Sequence, residues 1–159
     1  KSIPTLGVCL GSQIIAKAAG GKVYKGTKKE IGWYPIELTE DGTNSIFKGL
    51  EKSIRVFQWH GDTYDLPKNA LTLAESEYYP VQAFRVGSAV GVQFHLEVSK
   101  DMVIEWINQY RKELESVSNY ISRDAITADL DSNADALKEH AKILYKNFSK
   151  MVRSSKMVR

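Results

Sequence analysis

Residues 3–13 read Ile3-Pro4-Thr5-Leu6-Gly7-Val8-Cys9-Leu10-Gly11-Ser12-Gln13, and this stretch decides the fold. Residues 3–8 are short and apolar, the composition of a buried strand of the parallel-sheet kind. Gly7 and Gly11 bracket a tight turn. Residues 12–19 then carry Ile14, Ile15 and Ala18 on one side before Gly20-Gly21 ends the run, which predicts a helix. A strand that turns sharply into a helix, followed by more strands and terminal helices, indicates an α/β fold.

Cys9 sits at the turn itself, in Gly7-Val8-Cys9-Leu10-Gly11. This is the strand-turn-helix layout that exposes a nucleophile, with cysteine in the place of serine. Side chains in place of the flanking glycines are expected to collide there. The helix that follows aims its positive end at the sulfur, which favours a thiolate. The Leu10 amide is placed to donate to a developing oxyanion. The competing reading is a small buried cysteine beside a tight turn.

Outward from this stretch, residues 22–24 and 32–39 read as two strands, residues 40–42 as a turn and residues 45–50 as a helical turn. Residues 54–59 form a strand that ends at His60-Gly61-Asp62, and residues 71–75 another. Residues 81–86 and 89–94 read as a hairpin-like pair across Gly87-Ser88. Residues 100–117 and 134–152 are amphipathic helices separated by a polar stretch.

Three histidines are candidate bases. His140 lies mid-helix among Lys138, Glu139 and Lys142 and reads as a solvated side chain. His95 leaves a strand in Gly91-Val92-Gln93-Phe94-His95-Leu96-Glu97, and residues two apart on a strand project from the same side. His95 and Glu97 can therefore emerge together at the carboxyl end of the sheet, where open α/β folds place their sites. The carboxylate could there hold the imidazole in the tautomer that accepts a proton from sulfur. The alternative is a strand-end histidine beside an acid that only caps the next helix.

Composition limits the rest. The chain has 159 residues, 43% hydrophobic and 26% charged, enough for one globular domain. Its net charge of +3 owes much to Lys150, Arg153, Lys156 and Arg159. No basic face with interleaved aromatics runs through the body, so no nucleic-acid partner is expected. A single cysteine excludes an internal disulfide, no Cys/His spacing suits zinc, and neither a metal nor another cofactor is expected. An unpaired thiol favours the cytoplasm. No apolar run approaches the ~20 residues that cross a bilayer, and no membrane partner is expected. No phosphate-binding glycine loop of the Walker type occurs.

Taken together, Gly-Val-Cys-Leu-Gly-Ser-Gln at 7–13, Gln-Trp-His-Gly-Asp at 58–62 and Gly-Val-Gln-Phe-His-Leu-Glu at 91–97 resemble class I glutamine amidotransferases. They look most like the stand-alone proteins related to the amidotransferase part of GMP synthase. The resemblance covers nearly the whole chain. It implies a flavodoxin-like α/β fold, an open, mostly parallel sheet flanked by helices. Residues 1–159 would be a single glutamine amidotransferase domain, the C-terminal two-thirds of the family domain, with residues 118–159 as its terminal helical segment. The family's earlier strands and its glycine-rich oxyanion loop are not matched by any residues here. The resemblance makes Cys9 the nucleophile that forms a glutamyl thioester, His95 the base and Glu97 its orienter. It makes Leu10, Gln13, Trp59 and Gly61 substrate contacts, Leu10 through its amide. Trp59 stands where the family often has a smaller polar residue, and simple packing is an equal reading for it. His60 resembles a structural turn residue. Leu96 replaces the family's usual proline, which would fix the direction of the glutamate. Glutamine is then the substrate, and a separate synthetase or acceptor subunit would take the ammonia. The alternatives are a partner-dependent or non-catalytic module and a γ-glutamyl hydrolase of the same fold.

Overall fold

The computed structural model describes residues 3–157. Strand β1 (Thr5–Val8) turns at Cys9 into helix α1 (Leu10–Ala18). Strand β2 (Val23–Leu38), the single turn α2 (Glu40–Thr43) and strand β3 (Ser53–Tyr64) follow, then β4 (Leu71–Glu75), β5 (Ala83–Val86) and β6 (Ala89–Val92). Helices α3 (Lys100–Gln109), α4 (Arg111–Glu115), α5 (Arg123–Thr127) and α6 (Leu130–Met157) follow.

The strands form one sheet in the order β1-β6-β5-β4-β2-β3, and the α/β class is as the sequence indicates. Among the described residues the sheet is mixed rather than mostly parallel. Only β1 and β6 run side by side in the same direction, with Thr5 opposite Ala89 and Val8 opposite Val92. The other pairings are antiparallel. Connection length explains part of this: Gly87-Ser88 is too short to return β6 parallel to β5, whereas a distant strand can meet β1 in either sense.

Apolar residues close the sheet on two sides. The larger core gathers Ile36, Val56, Phe57, Val90, Val92 and Phe94 with Val103, Ile107, Leu137 and Leu144 of the later helices. A smaller cluster of Ala16, Tyr64, Val81 and Phe84 lies with α1. Gly7 and Gly91 let α1 come close. A Cβ at Gly7 would stand 2.5 Å from the Gly11 carbonyl carbon, and one at Gly91 would stand 3.0 Å from the Ser12 Cβ. The collision expected at Gly7 is therefore real. At Gly11 it is not, because a Cβ there meets nothing within 4 Å. What matters at position 11 is its backbone, which is the surface that Gly7 must clear.

Strand boundaries differ from expectation: the pair expected over 81–86 and 89–94 is Ala83–Val86 and Ala89–Val92, so His95 lies beyond β6 in an isolated bridge with Phe57. Residues 22–24 and 32–39 belong to one strand, β2, which pairs with β3 on both sides of an irregularity between Lys25 and Glu30. The strand expected to end at residue 59 continues to Tyr64, since Asp62 pairs with Lys25 and Tyr64 with Val23. A strong partner strand carries the chain through the polar, glycine-containing segment that looked like a turn.

The helix expected over residues 100–117 breaks at Tyr110 into α3 and α4. The Ser99 hydroxyl caps α3 by accepting from the Met102 amide at 3.3 Å. The polar stretch holds α5, capped in the same way by Ser122. Helix α6 buries Leu137, Ala141 and Leu144, and Asn147 donates to the carbonyls of Ile46 and Lys48. His140 is half-buried rather than solvated. Burial pushes its pKa down, against the pull of Glu51 and the Arg55 backbone. No helix among the described residues is long and apolar enough to cross a membrane.

Candidate active site

Because β1 and β6 are parallel, their carboxyl ends lie at the same edge of the sheet. Cys9 follows one and Gln93, Phe94 and His95 follow the other. The Cys9 amide donates to Val92 O at 2.8 Å, which ties the turn to the end of β6. Cys9 has φ +49°, a left-handed conformation that costs energy for a residue with a side chain and clusters at functional sites. It serves as the N-cap of α1, its carbonyl accepting from the amides of Ser12 and Gln13. The sulfur lies 3.9 Å from the Trp59 carbonyl and 3.7 Å from Gln93 Nε2.

His95 is buried, and its amide donates to Phe57 O at 2.8 Å, so the residue is pinned to β3 by its backbone. Its Nδ1 stands 2.6 Å from Glu97 Oε1. The Trp106 ring packs edge-on against the imidazole, 5.0 Å between centroids. Burial alone would lower the His95 pKa. Hydrogen bonding and charge from Cys9 and Glu97 outweigh it, and the imidazole is pushed up to about 9. Burial would likewise raise Glu97, but the His95 ring holds this carboxylate below its ordinary value. The second oxygen, Oε2, accepts from the Leu96 amide at 2.9 Å. A proline at 96 would have no such hydrogen, so leucine supplies by hydrogen bonding a restraint on the glutamate.

A cleft of about 320 Å³ opens beside Cys9 and is lined by Leu10, Gln13, Trp59 and Gly61 among others. Gln13 is buried, with its Nε2 3.4 Å from both Asp62 O and Gln93 Oε1. All four residues expected to touch substrate therefore border one space with Cys9. The Trp59 ring packs among Phe57, Trp106 and Tyr110, while its Nε1 donates to Glu113 Oε2 at 3.1 Å. Side-chain packing and a place on the cleft coexist at this position.

His60 is structural, though in mid-strand rather than at a turn. Its Nδ1 faces Asp62 O at 2.9 Å and its Nε2 faces Glu30 Oε2 at 2.9 Å. A carbonyl only accepts, so Nδ1 carries a proton, and the contact with Glu30 requires another, on either partner. Gln82 Nε2 also donates to Glu30, at 2.8 Å, and Gln58 donates to Gln82.

Two kinds of participant escaped the sequence reading. Gln93 could have been found from its position, two residues before His95. Glu30 and Glu113 carried no local signal, since each is brought in by a tertiary contact.

The model of the family described as glutamine amidotransferase class-I matches residues 1–105. A glutamine-hydrolyzing GMP synthase subunit from Pyrococcus abyssi is 45% identical over 101 residues, which cover 62% of this chain and 53% of that protein. The glutamine amidotransferase-like protein YfeJ of Salmonella typhimurium is 40% identical over 111 residues, 69% of this chain and 46% of that protein. The chain thus spans about half the length of these curated relatives. A crystal structure of a glutamine amidotransferase from Thermotoga maritima superposes with a TM-score of 0.82 at 41% identity, covering 94% of this chain and 62% of that one. The chain belongs to the class I glutamine amidotransferases.

Proposed function

We propose that the protein hydrolyses the side-chain amide of glutamine, with Cys9 as nucleophile, His95 as general acid-base and Glu97 as the group that orients His95. The observation that carries this reading is that Cys9 and the buried His95 follow the carboxyl ends of the parallel pair β1–β6, with Glu97 Oε1 2.6 Å from His95 Nδ1. With Nδ1 committed to Glu97, Nε2 is the nitrogen available to the sulfur and to the substrate.

In the first half-reaction the proton already lies on His95, whose raised pKa keeps it there, as the Cys9 sulfur attacks the amide carbon. The carbonyl oxygen becomes an oxyanion that the Leu10 amide can stabilise. The carbon–nitrogen bond then breaks, and His95 returns the proton to the departing ammonia, leaving a glutamyl thioester on Cys9. In the second, His95 takes a proton from water as its oxygen attacks the thioester. Glutamate leaves and the thiol is restored. Gln13, Trp59 and Gly61 would position the substrate along the cleft. Relatives named as one subunit of a glutamine-hydrolyzing GMP synthase support transfer of the ammonia to a separate synthetase chain.

The test is covalent. A diazoketone analogue of glutamine should label Cys9, as read by mass spectrometry, and Cys9→Ala should abolish glutaminase turnover while leaving the domain folded. An unlabelled Cys9 in folded, full-length protein would sink the proposal.

A further inference from the structure

The Cys9 sulfur lies near two groups that act on it in opposite senses, and the steps above use neither. The Trp59 carbonyl, 3.9 Å away, can only accept, and so favours the protonated thiol. Gln93 Nε2, 3.7 Å away, can only donate, and so favours the thiolate. Which end of the Gln93 amide faces the sulfur follows from its neighbours. The Asp62 carbonyl accepts from His60 Nδ1 at 2.9 Å and from Gln13 Nε2 at 3.4 Å. Since a carbonyl only accepts, Gln13 must turn its amino group toward Asp62. That amino group also lies 3.4 Å from the Gln93 side-chain amide, which must then present its oxygen to Gln13. Only the Gln93 amino group is left for Cys9. The Gln93 backbone is held as well, its amide donating to Gln82 O at 2.8 Å just beyond the end of β6. Gln13 and Gln93 are both buried, where little water competes for these bonds.

We propose that Gln93 is a further catalytic residue, whose Nε2 donates a hydrogen bond to the Cys9 sulfur, offsets the Trp59 carbonyl and holds the sulfur as a thiolate. Gln13 fixes the direction of that donor. The same bond serves twice, because the sulfur is the attacking group in the first half-reaction and the leaving group in the second. No proton changes hands with Gln93. The inference rests on the glutaminase reading above, which makes the sulfur the nucleophile.

Two variants of the full-length protein test it. Gln93→Leu removes the donor and keeps the bulk. Gln93→Glu keeps an oxygen for Gln13, aims a carboxylate oxygen at the sulfur, and decides the matter if the leucine variant fails to fold. Alkylation of Cys9 by iodoacetamide, followed by mass spectrometry of its peptide as the pH is varied, reads the thiolate. The midpoint of that profile should move up by about one pH unit in Gln93→Leu, the worth of one hydrogen bond to a charged group, and further in Gln93→Glu. At high pH both variants should react at least as fast as the wild type. The kcat/KM for glutamine should fall about tenfold in Gln93→Leu. His95 and Tyr64, which act on the sulfur, and Lys29, His60, Asp62 and Glu113 along the cleft are unchanged in both variants. Profiles that coincide with the wild type, or alkylation slowed equally at every pH, would mean that Gln93 only packs against the turn, and would overturn the assignment. If the wild type hydrolyses glutamine and the profiles coincide, Gln93 alone falls. If the wild type hydrolyses no glutamine, the proposed function falls, and Gln93 as a catalytic group falls with it.

Discussion

Two histidine–carboxylate pairs lie within this one sheet, and they differ in what their second nitrogen faces. In the His60–Glu30 pair the side chains are 2% and 0% exposed, and both ring nitrogens are occupied, one by Glu30 and one by the Asp62 carbonyl. In the His95–Glu97 pair the carboxylate is 39% exposed, Nδ1 is occupied, and Cys9 acts on the ring. The same two residue types thus make a fastener in one place and candidate acid-base machinery in the other. The difference is the second neighbour of the ring, a backbone carbonyl for His60 and Cys9 for His95.

The largest effects should separate the pairs by kind. His95→Gln should cut glutaminase turnover by about 10²–10⁴, the usual contribution of an acid-base group, with thermal unfolding little changed at pH 9 and above. His60→Leu should instead act on stability, costing about 3–5 kcal/mol because Glu30 is left buried without its partner. Adding Glu30→Met to that variant should recover much of the loss, as denaturant titration would register. If His60→Leu melted like the wild type but lost activity, the contrast drawn here would fail.

The pH dependence sharpens the comparison on one side. The folded-state pKa of His95 is raised to about 9 from an ordinary 6.5, so its contribution to stability is complete below pH 6.5 and is lost as the pH rises through 9. Glu97 is lowered, so its contribution is present above its ordinary 4.5 and fades as the pH falls below it. The stability difference between wild type and His95→Gln should therefore be widest between about pH 5 and 6.5 and shrink toward pH 9 and above. A difference that grew in alkali would contradict the sign. The smallest effect expected is at Leu96, where proline would remove the amide that holds Glu97 Oε2. A single hydrogen bond to a charged group suggests at most about a tenfold loss in kcat/KM.

Much of this was legible along the chain because it depends on neighbours in sequence. Cys9 between a strand and a helix follows from residues 3–19. The contact of His95 with Glu97 follows from their closeness in sequence, although β6 ends at Val92 and strand periodicity does not reach them. The helices expected over 100–117 and 134–152 follow from their apolar stripes, although the break at Tyr110 and the extension of α6 over Leu130–Met157 do not. The continuity of β2 and β3 was hidden for a physical reason. Residues 25–30 and 60–62 are polar or glycine-containing; pairing of Lys25 with Asp62 and of Glu30 with His60 carries the strands through, with residues 26–29 as an insertion between them.

Local order thus carried the α/β class, the strained turn at Cys9 and the nearness of His95 to Glu97, since each is set by backbone geometry over a few adjacent residues. Tertiary structure alone decided that β1 and β6 lie side by side in parallel, so that positions 9 and 95 come to the same edge of the sheet. It alone decided that Glu30 meets His60 and that Glu113 meets Lys29 and Trp59. Those partners are separated by 30 to 84 positions in the chain. Their encounters come from packing a sheet against its helices, for which no local pattern exists.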